Sequence, residues 1–201
     1  MSAPEMKKAF WEKRYQNDSL PFDSDPPDDW IVSLAKQNKI TGNVLDAGCG
    51  TGRNALYLAG LGFGVLGIDV IPEAIERAKI KAAQANSFAV FEAADICTYN
   101  DHVNYFDTII DIGCFHSLPK DDHYSYVQAL DRLGNHSAII YLRAFSDADP
   151  RCDVPGISED RIRTVFESFG WNINKLDHAR VDLQFMVGKT YAWFAELKRN
   201  E

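Results

Sequence analysis

The sequence predicts an α/β fold in which a mostly parallel sheet carries helices on both faces. From residue 44 onwards, strand-like and helix-like segments alternate, and this alternation is typical of βαβ units. Residues 138–142 are apolar without interruption, as expected of a strand that is buried on both faces. A length of 201 residues, with 46% hydrophobic and 25% charged residues, suits a single domain over 1–201.

Two helices are predicted ahead of the sheet. Residues 6–16 carry Phe10, Trp11 and Tyr15 on or near one helical face. After a turn-rich stretch, Pro27 and the aspartates behind it open a second helix that runs to about residue 38. We therefore divide the domain into an N-terminal helical segment, 1–40, and a core, 41–201.

Within the core, apolar runs and helical periodicity predict the remaining elements. The expected strands are one that begins at 43 and runs into the glycine loop, followed by 64–69, 88–92, 105–111, 137–142, 171–176 and 191–197. The expected helices are 53–59, 72–85 and those beginning near 121 and 158. A hinge near Gly188 suggests that the last two strands are antiparallel. Gly134 and Asn135 are expected to end the preceding helix in a left-handed turn.

The most informative segment joins the first two strands of the core. It places glycines at Gly48, Gly50 and Gly52, continues as a helix, and leads to a second strand that ends in Asp69. Strand, glycine loop, helix, strand and acid is the plan of a nucleotide-binding unit. Arg53 stands where a dinucleotide site needs a small residue, and the Asp46 carboxylate would repel a pyrophosphate, so nicotinamide-dependent oxidoreduction is disfavoured.

With these residues in view, the chain resembles the class I S-adenosylmethionine-dependent methyltransferases. Residues 46–52 resemble the first motif of that family, 67–70 the second, 94–96 the adenine loop and 106–111 the fourth strand. The continuation 52–55 and the segment 11–15 resemble the small-molecule thiopurine and tellurite-resistance type group. The resemblance implies a Rossmann-like doubly wound sheet of seven strands in the order 3-2-1-4-5-7-6, with strand 7 antiparallel.

The resemblance also implies where S-adenosyl-L-methionine binds. The three loop glycines would pass under its amino-acid part and ribose, and Asp69 would accept from both ribose hydroxyls, with a helix N-cap as the alternative role. Asp95 would accept from the adenine amino group, with a surface turn as its alternative, while the Ile96 amide faces a ring nitrogen. The remaining expected contacts are Val70, and with it Ile71, on the adenine face, Asp46 towards the ammonium, and Trp11 from the N-terminal segment.

On the acceptor side, the loop after the fourth strand offers Cys114, Phe115 and His116. The Asn/Asp-Pro-Pro-Tyr/Phe motif of DNA and glutamine N-methyltransferases is absent there. His116 is a candidate general base, or a histidine bonded to backbone. Arg143 and Arg151 would hold an anionic acceptor or pair with Asp147, Asp149 or Asp153. Tyr15 and Phe22, from the N-terminal segment, would close over the substrate or simply pack on the core.

The composition of the chain limits the classes of molecule that it is expected to bind. A net charge of −8, without a long Lys/Arg cluster, argues against nucleic acid, and no apolar run approaches a membrane span. The four cysteines show no metal-site spacing, so we expect no metal and reduced thiols. The start of the chain lacks an apolar signal region. We expect a cytoplasmic protein that acts on a small molecule, and nothing demands more than a monomer.

These features together predict methyl transfer to a small-molecule acceptor. Thiol, selenium, tellurium and halide nucleophiles fit a site without an obvious base, because thiols already ionise in part near neutral pH. Transfer to an oxygen or nitrogen of a small aromatic is the alternative within the same fold. A non-catalytic S-adenosylmethionine-binding module is the alternative from another class.

Overall fold

A computed structural model of the chain describes residues 3–16, 26–148, 156–182 and 189–199. Its sheet has the strand order β3-β2-β1-β4-β5-β7-β6. The strands are β1 Val44–Ala47, β2 Val65–Asp69, β3 Val90–Ala93, β4 Phe106–Ile112, β5 Gly134–Phe145, β6 Trp171–Asp182 and β7 Lys189–Arg199. Strand β7 is antiparallel to both neighbours, and the other described pairings are parallel. The predicted seven-stranded fold is therefore confirmed.

Helices cover both faces of this sheet. They are α1 Ala3–Gln16, α2 Asp29–Lys36, α3 Arg53–Gly60, α4 Pro72–Gln84, α5 His123–Leu133 and α6 Glu159–Glu167. One apolar core lies between the sheet and α5 and α6, and a second lies between the sheet and α2, α3 and α4. Within the described ranges, no helix is both long and apolar enough to cross a membrane.

Side-chain caps explain where two of the helices begin. The Asp28 carboxylate accepts from the backbone N–H of Trp30 at 3.1 Å, so α2 starts after Asp28 and Pro27 lies outside it. The Ser158 hydroxyl accepts from the backbone N–H of Arg161 at 3.2 Å and starts α6 as expected.

The predicted left-handed turn at Gly134 is wrong. Gly134 has an extended backbone, with φ −69° and ψ 140°, and is the first residue of β5. Two contacts hold this stretch in the sheet: the Arg199 guanidinium donates to the carbonyls of Gly134 and Asn135, both at 2.9 Å. A Cβ at Gly134 would lie 2.9 Å from the Ala138 Cβ, so the glycine here serves close packing.

The topology places the functional residues at one edge of the sheet. Strands β1 to β5 are parallel, so their carboxyl ends lie along the same edge, where ligands bind in open α/β sheets. The pairing of β6 with β7 continues to Asp182 and Lys189, beyond the last β5–β7 pair, Phe145 and Ala192. The β6–β7 hairpin therefore extends past the end of β5 at this edge.

Candidate functional site

The glycine loop after β1 is held by the end of β2. The backbone N–H groups of Gly48 and Cys49 donate to the Ile68 carbonyl, and Gly50 N–H donates to Asp69 Oδ2 at 2.9 Å. Gly48 has φ +71°, and a Cβ there would lie 2.5 Å from the Cβ of Cys114. The loop thus runs closely over the ends of β1, β2 and β4.

Asp69 connects this loop to α4. Its Oδ2 accepts from Gly50, and its Oδ1 accepts from the backbone N–H of Ile71 at 2.9 Å, immediately before α4 begins at Pro72. Burial raises the pKa of Asp69, and these two N–H groups oppose the rise. Each carboxylate oxygen can accept more than one hydrogen bond. The carboxylate can therefore hold the loop and still accept from hydroxyl groups of a ligand.

Asp46 is a buried carboxylate at the end of β1. It is 1% exposed, and no hydrogen-bond partner for its Oδ2 lies within the described part of the chain. Burial raises its pKa to about 7, while the backbone N–H of Ala55 and the charge of Arg53 lower it. A buried carboxylate oxygen normally has a partner. The residue therefore fits the ammonium of the expected cofactor, either directly or through water.

The other residues expected around the adenine lie after β2 and β3. Asp95 is exposed, and its Oδ1 accepts from the backbone N–H of Cys97 at 2.9 Å. Val70 is exposed, whereas the Ile96 side chain is buried in the core, which leaves its backbone amide for the predicted contact. Ile71 is only 2% exposed and packs against Tyr15 and Ala74, so the expectation that it lines the adenine face is wrong.

Gly52 has a packing role in addition to any role in binding. It has φ +83° and stands immediately before α3. A Cβ there would lie 2.6 Å from the Phe91 ring and 3.2 Å from the Ala78 Cβ. The absence of a side chain at Gly52 lets the start of α3 pack against β3 and α4, while Gly48 and Gly50 shape the loop itself.

The N-terminal helix lies over the glycine loop. The Tyr15 hydroxyl is 3.0 Å from where a Gly50 Cβ would be, and the Tyr15 carbonyl accepts from Arg77 Nη2 on α4 at 2.7 Å. Trp11 packs against the small cluster of Tyr15, Ile71 and Ala74. Tyr15, expected at the acceptor, therefore lies with Trp11 beside the cofactor residues. Phe22 is outside the described residues.

The loop after β4 carries residues expected to contact the acceptor, and the Asp111 side chain holds this loop in place. Asp111 is fully buried and accepts from Cys114 N–H at 2.8 Å, from Phe115 N–H, and from the Tyr126 hydroxyl at 2.7 Å. Burial raises its pKa to about 6, and the bond from Tyr126 is the largest opposing influence. Tyr126, on α5, is also fully buried.

Three residues of this loop were expected near the acceptor, and the structure separates them. Cys114 is partly buried against Gly48, and burial raises the pKa of its thiol well above the usual value. His116 packs on the Phe145 ring at the end of β5, with centroids 4.7 Å apart. Phe115 is fully buried against the rings of Tyr126 and Phe166, so its expected contact with the acceptor is wrong and it belongs to the core.

Arg143, near the end of β5, pairs with Asp28. Asp28 stands before α2, is 6% exposed, and also lies 3.7 Å from Arg53 Nη2. Its backbone N–H donates to Asn54 Oδ1 at 2.9 Å. The expected pairing with Asp147 is wrong, because Arg143 pairs with a carboxylate on another element. The expected role of Arg143 towards an anionic acceptor stays a prediction. Arg151, Asp149 and Asp153 lie outside the described residues.

Sequence reasoning placed Asp28 only at the start of a helix and assigned no site role to Asp111 or Tyr126. The signal for Asp111 is present, because a carboxylate ends an apolar strand there as Asp46 does in β1. Asp28 could be read only as a helix cap. Nothing local marks Tyr126, which reads as one more apolar position of α5.

The comparisons with known proteins agree with this arrangement. A family model described as a methyltransferase domain matches residues 44–135. An uncharacterized methyltransferase of Schizosaccharomyces pombe is 42% identical over 118 residues, which are 59% of this chain and 81% of that protein.

Two further relatives have a stated chemistry. The 2-heptyl-1-hydroxyquinolin-4(1H)-one methyltransferase of Mycobacteroides abscessus is 34% identical over 165 residues, covering 80% of this chain and 72% of that protein. A solved structure, concerned with converting a disulfide bond into a thioacetal group during echinomycin biosynthesis, is 30% identical with a TM-score of 0.84. The match covers 98% of this chain and 92% of that chain.

Proposed function

This chain belongs to the class I S-adenosylmethionine-dependent methyltransferases, and we propose that its acceptor is a soft nucleophile of a small molecule, foremost a thiol. The observation that carries the proposal is the loop after β4. Its carboxylate, Asp111, is buried and accepts hydrogen bonds from Cys114 N–H, Phe115 N–H and the Tyr126 hydroxyl, so it is not placed to take a proton from an acceptor. A nucleophile that ionises by itself suits such a site.

The described residues fit S-adenosylmethionine, which supplies an electrophilic methyl group on a sulfonium. Asp46 would accept from the ammonium, because its buried Oδ2 needs a donor. Asp69 would accept from the ribose hydroxyls, and Asp95 from the adenine amino group. We call the ends of β1, β2 and β3, with their loops, the cofactor side of the cleft, and the ends of β4, β5 and the adjoining start of β7 the acceptor side.

The reaction needs little acid–base chemistry if the acceptor is a thiol. A thiol with a pKa near 8.5 releases its proton to solvent often enough for a few per cent of thiolate to be present at pH 7. With the cofactor bound, its sulfonium would supply the methyl group: the acceptor sulfur would bond to the methyl carbon as the carbon–sulfonium bond breaks, and a thioether and S-adenosylhomocysteine would result. The protein contributes positioning and exclusion of water.

Similarity to proteins of stated chemistry supports a sulfur acceptor. The structure at 30% identity concerns conversion of a disulfide bond into a thioacetal, which is chemistry at sulfur. The alternative, transfer to an oxygen or nitrogen of a small aromatic, is favoured by the His116–Phe145 ring contact and by the hydroxyquinolone methyltransferase at 34% identity. In that case, His116 would act as the general base.

We also propose that the N-terminal helical segment, 1–40, closes over the cleft of the single domain, with α1 on the cofactor side. Helix α1 already packs on α4 through Tyr15 and Arg77, and the Tyr15 hydroxyl lies over the glycine loop. Tyr15 and Trp11 would therefore lie between a bound cofactor and the solvent.

Initial rates with thiophenol and phenol, at saturating S-adenosylmethionine, test the proposal. We expect the wild-type protein to methylate thiophenol and to leave phenol largely unchanged. His116→Ala should spare the thiol reaction, because the thiolate forms without a base. Faster reaction of phenol, abolished by His116→Ala, would support the oxygen alternative instead. Equal loss on both substrates would assign His116 a structural role.

A further inference from the structure

The β6–β7 hairpin contributes a buried hydroxyl to the acceptor side. Thr190, near the start of β7, is 1% exposed. No hydrogen-bond partner for its Oγ1 lies within the part of the chain that the structure describes. Buried polar side chains are nearly always hydrogen-bonded, so this hydroxyl calls for a partner that the described residues do not supply.

The strand register shows which face Thr190 occupies. Ala192 pairs with Phe145 of β5, and Thr190 is two residues further towards the hairpin tip, so the two β7 residues lie on one face. In the β5–β7 ladder, Arg143 lies opposite Phe194, so these two residues are on that same face. Trp30 of α2 packs on Phe194 there, with ring centroids 5.1 Å apart. Thr190 thus belongs to the face that carries Arg143 and Phe145.

The position along the strands brings Thr190 to the cleft. The last residue pair of the β5–β7 ladder is Phe145 and Ala192. One more backbone hydrogen bond follows, from Ser146 N–H to the carbonyl of Tyr191 at 2.9 Å, and Tyr191 is next to Thr190 in the chain. His116, from the loop after β4, packs on Phe145 of this face. The hydroxyl therefore lies beyond the end of β5, on the face where the His116 and Phe145 rings meet.

We infer that Thr190 binds the methyl acceptor, through a hydrogen bond to a polar atom on a planar ring that packs against Phe145. The inference rests on the proposed transfer to a small acceptor and narrows its class to ring compounds that carry a polar atom beside the reacting atom. A threonine hydroxyl can both donate and accept, so a ring nitrogen, an N–H group or a carbonyl oxygen would each satisfy it. Thr190 would then determine specificity without taking part in the bond changes.

Ligand binding to the protein saturated with S-adenosylhomocysteine tests this inference. The probes are 2-mercaptopyridine, which has a ring nitrogen beside the sulfur, and thiophenol, which lacks one. We expect Thr190→Val to weaken 2-mercaptopyridine binding by about tenfold and to leave thiophenol unchanged, since one hydrogen bond is lost. Thr190→Ser, which keeps the hydroxyl, should retain the wild-type preference. The thermal midpoint of Thr190→Val should not fall, because valine has the same shape and no polar atom to bury.

Three results would overturn the inference. Thr190→Val could leave both affinities unchanged, as expected if an ordered water alone satisfies the hydroxyl. It could weaken both ligands equally, which would indicate a structural effect, or the wild-type complex could bind neither ring. The binding measurement needs no turnover. If 2-mercaptopyridine binds in a Thr190-dependent way but is not methylated, the proposed acceptor atom fails while the role of Thr190 stands.

Discussion

The cofactor side of the cleft is built mainly by residues that are close in the chain, whereas the acceptor side is held by pairs that are far apart. Asp69 accepts from Gly50 and Ile71, and Asp95 accepts from Cys97. On the acceptor side, Arg143 pairs with Asp28, and Tyr126 bonds to Asp111 from another element. Local hydrogen bonds shape the first side, and tertiary packing shapes the second.

This difference has a physical cause. A cofactor shared across a family is met by backbone and by short carboxylates at strand ends, where the sheet itself fixes their positions. The acceptor residues come from loops and from a hairpin that must be brought together by burial of charge and of aromatic rings. Substitutions should therefore act locally on the cofactor side and affect the fold more widely on the acceptor side.

The largest expected effect is that of Arg143→Ala on stability. Removing the Arg143 guanidinium leaves the buried Asp28 carboxylate with the more distant Arg53 as its remaining cationic neighbour. Breaking a buried ion pair in this way costs roughly 3 kcal/mol of stability. Urea unfolding measures the loss. The control is Arg163→Ala, whose pairs with Glu159 and Glu167 are solvent-exposed and whose loss should cost under about 0.5 kcal/mol. Equal effects would show that the long-range pair is not what holds the acceptor side.

Asp69→Ala should weaken S-adenosylmethionine binding by roughly 1–3 kcal/mol, because hydrogen bonds to the ribose are lost. Calorimetric titration checks this, with Asp69→Asn as the conservative variant of intermediate affinity. Unchanged affinity for Asp69→Ala would remove this residue from the ribose. The acceptor affinity of the saturated protein should not change, since the two sides are separate.

Tyr126→Phe should lower stability by about 1.5 kcal/mol at pH 8, because a buried charged carboxylate loses a donor. Burial already raises the pKa of Asp111 to about 6. Ionisation of Asp111 therefore opposes folding, so its contribution to stability is present at low pH and is lost as the pH rises through about 6. The substitution raises this pKa further, and its cost should be smaller at pH 5 than at pH 8. A stability cost that is the same at both pH values would contradict the role of the Tyr126 hydroxyl as a donor to ionised Asp111.

A further effect concerns Asp46 and pH. Its pKa of about 7 means that proton release must accompany binding of the cationic ammonium at lower pH. As the pH drops below 7, affinity for S-adenosylmethionine should fall by up to about tenfold per pH unit. In Asp46→Asn this dependence should disappear. A flat profile for the wild-type protein would place Asp46 away from the ammonium.

The same contrast explains what the sequence could predict. The strand order follows from the family resemblance. The glycine loop, Asp46 and Asp69 follow from motifs whose spacing is local, and the structure brings these residues together. Phe115 was misassigned because a loop sequence does not reveal which side chain turns inward to Tyr126 and Phe166. Arg143 was given the wrong partner because Asp28 is 115 residues away in the chain.

Titrations of three proteins test the separation of the two sides most directly. S-adenosylmethionine is titrated into the wild-type protein, Asp69→Ala and Thr190→Val, and 2-mercaptopyridine is then titrated into each after saturation with S-adenosylhomocysteine. We predict that Asp69→Ala weakens only the cofactor and that Thr190→Val weakens only the ring compound. If either variant weakened both ligands to the same extent, the cleft would behave as one site and the account would be contradicted.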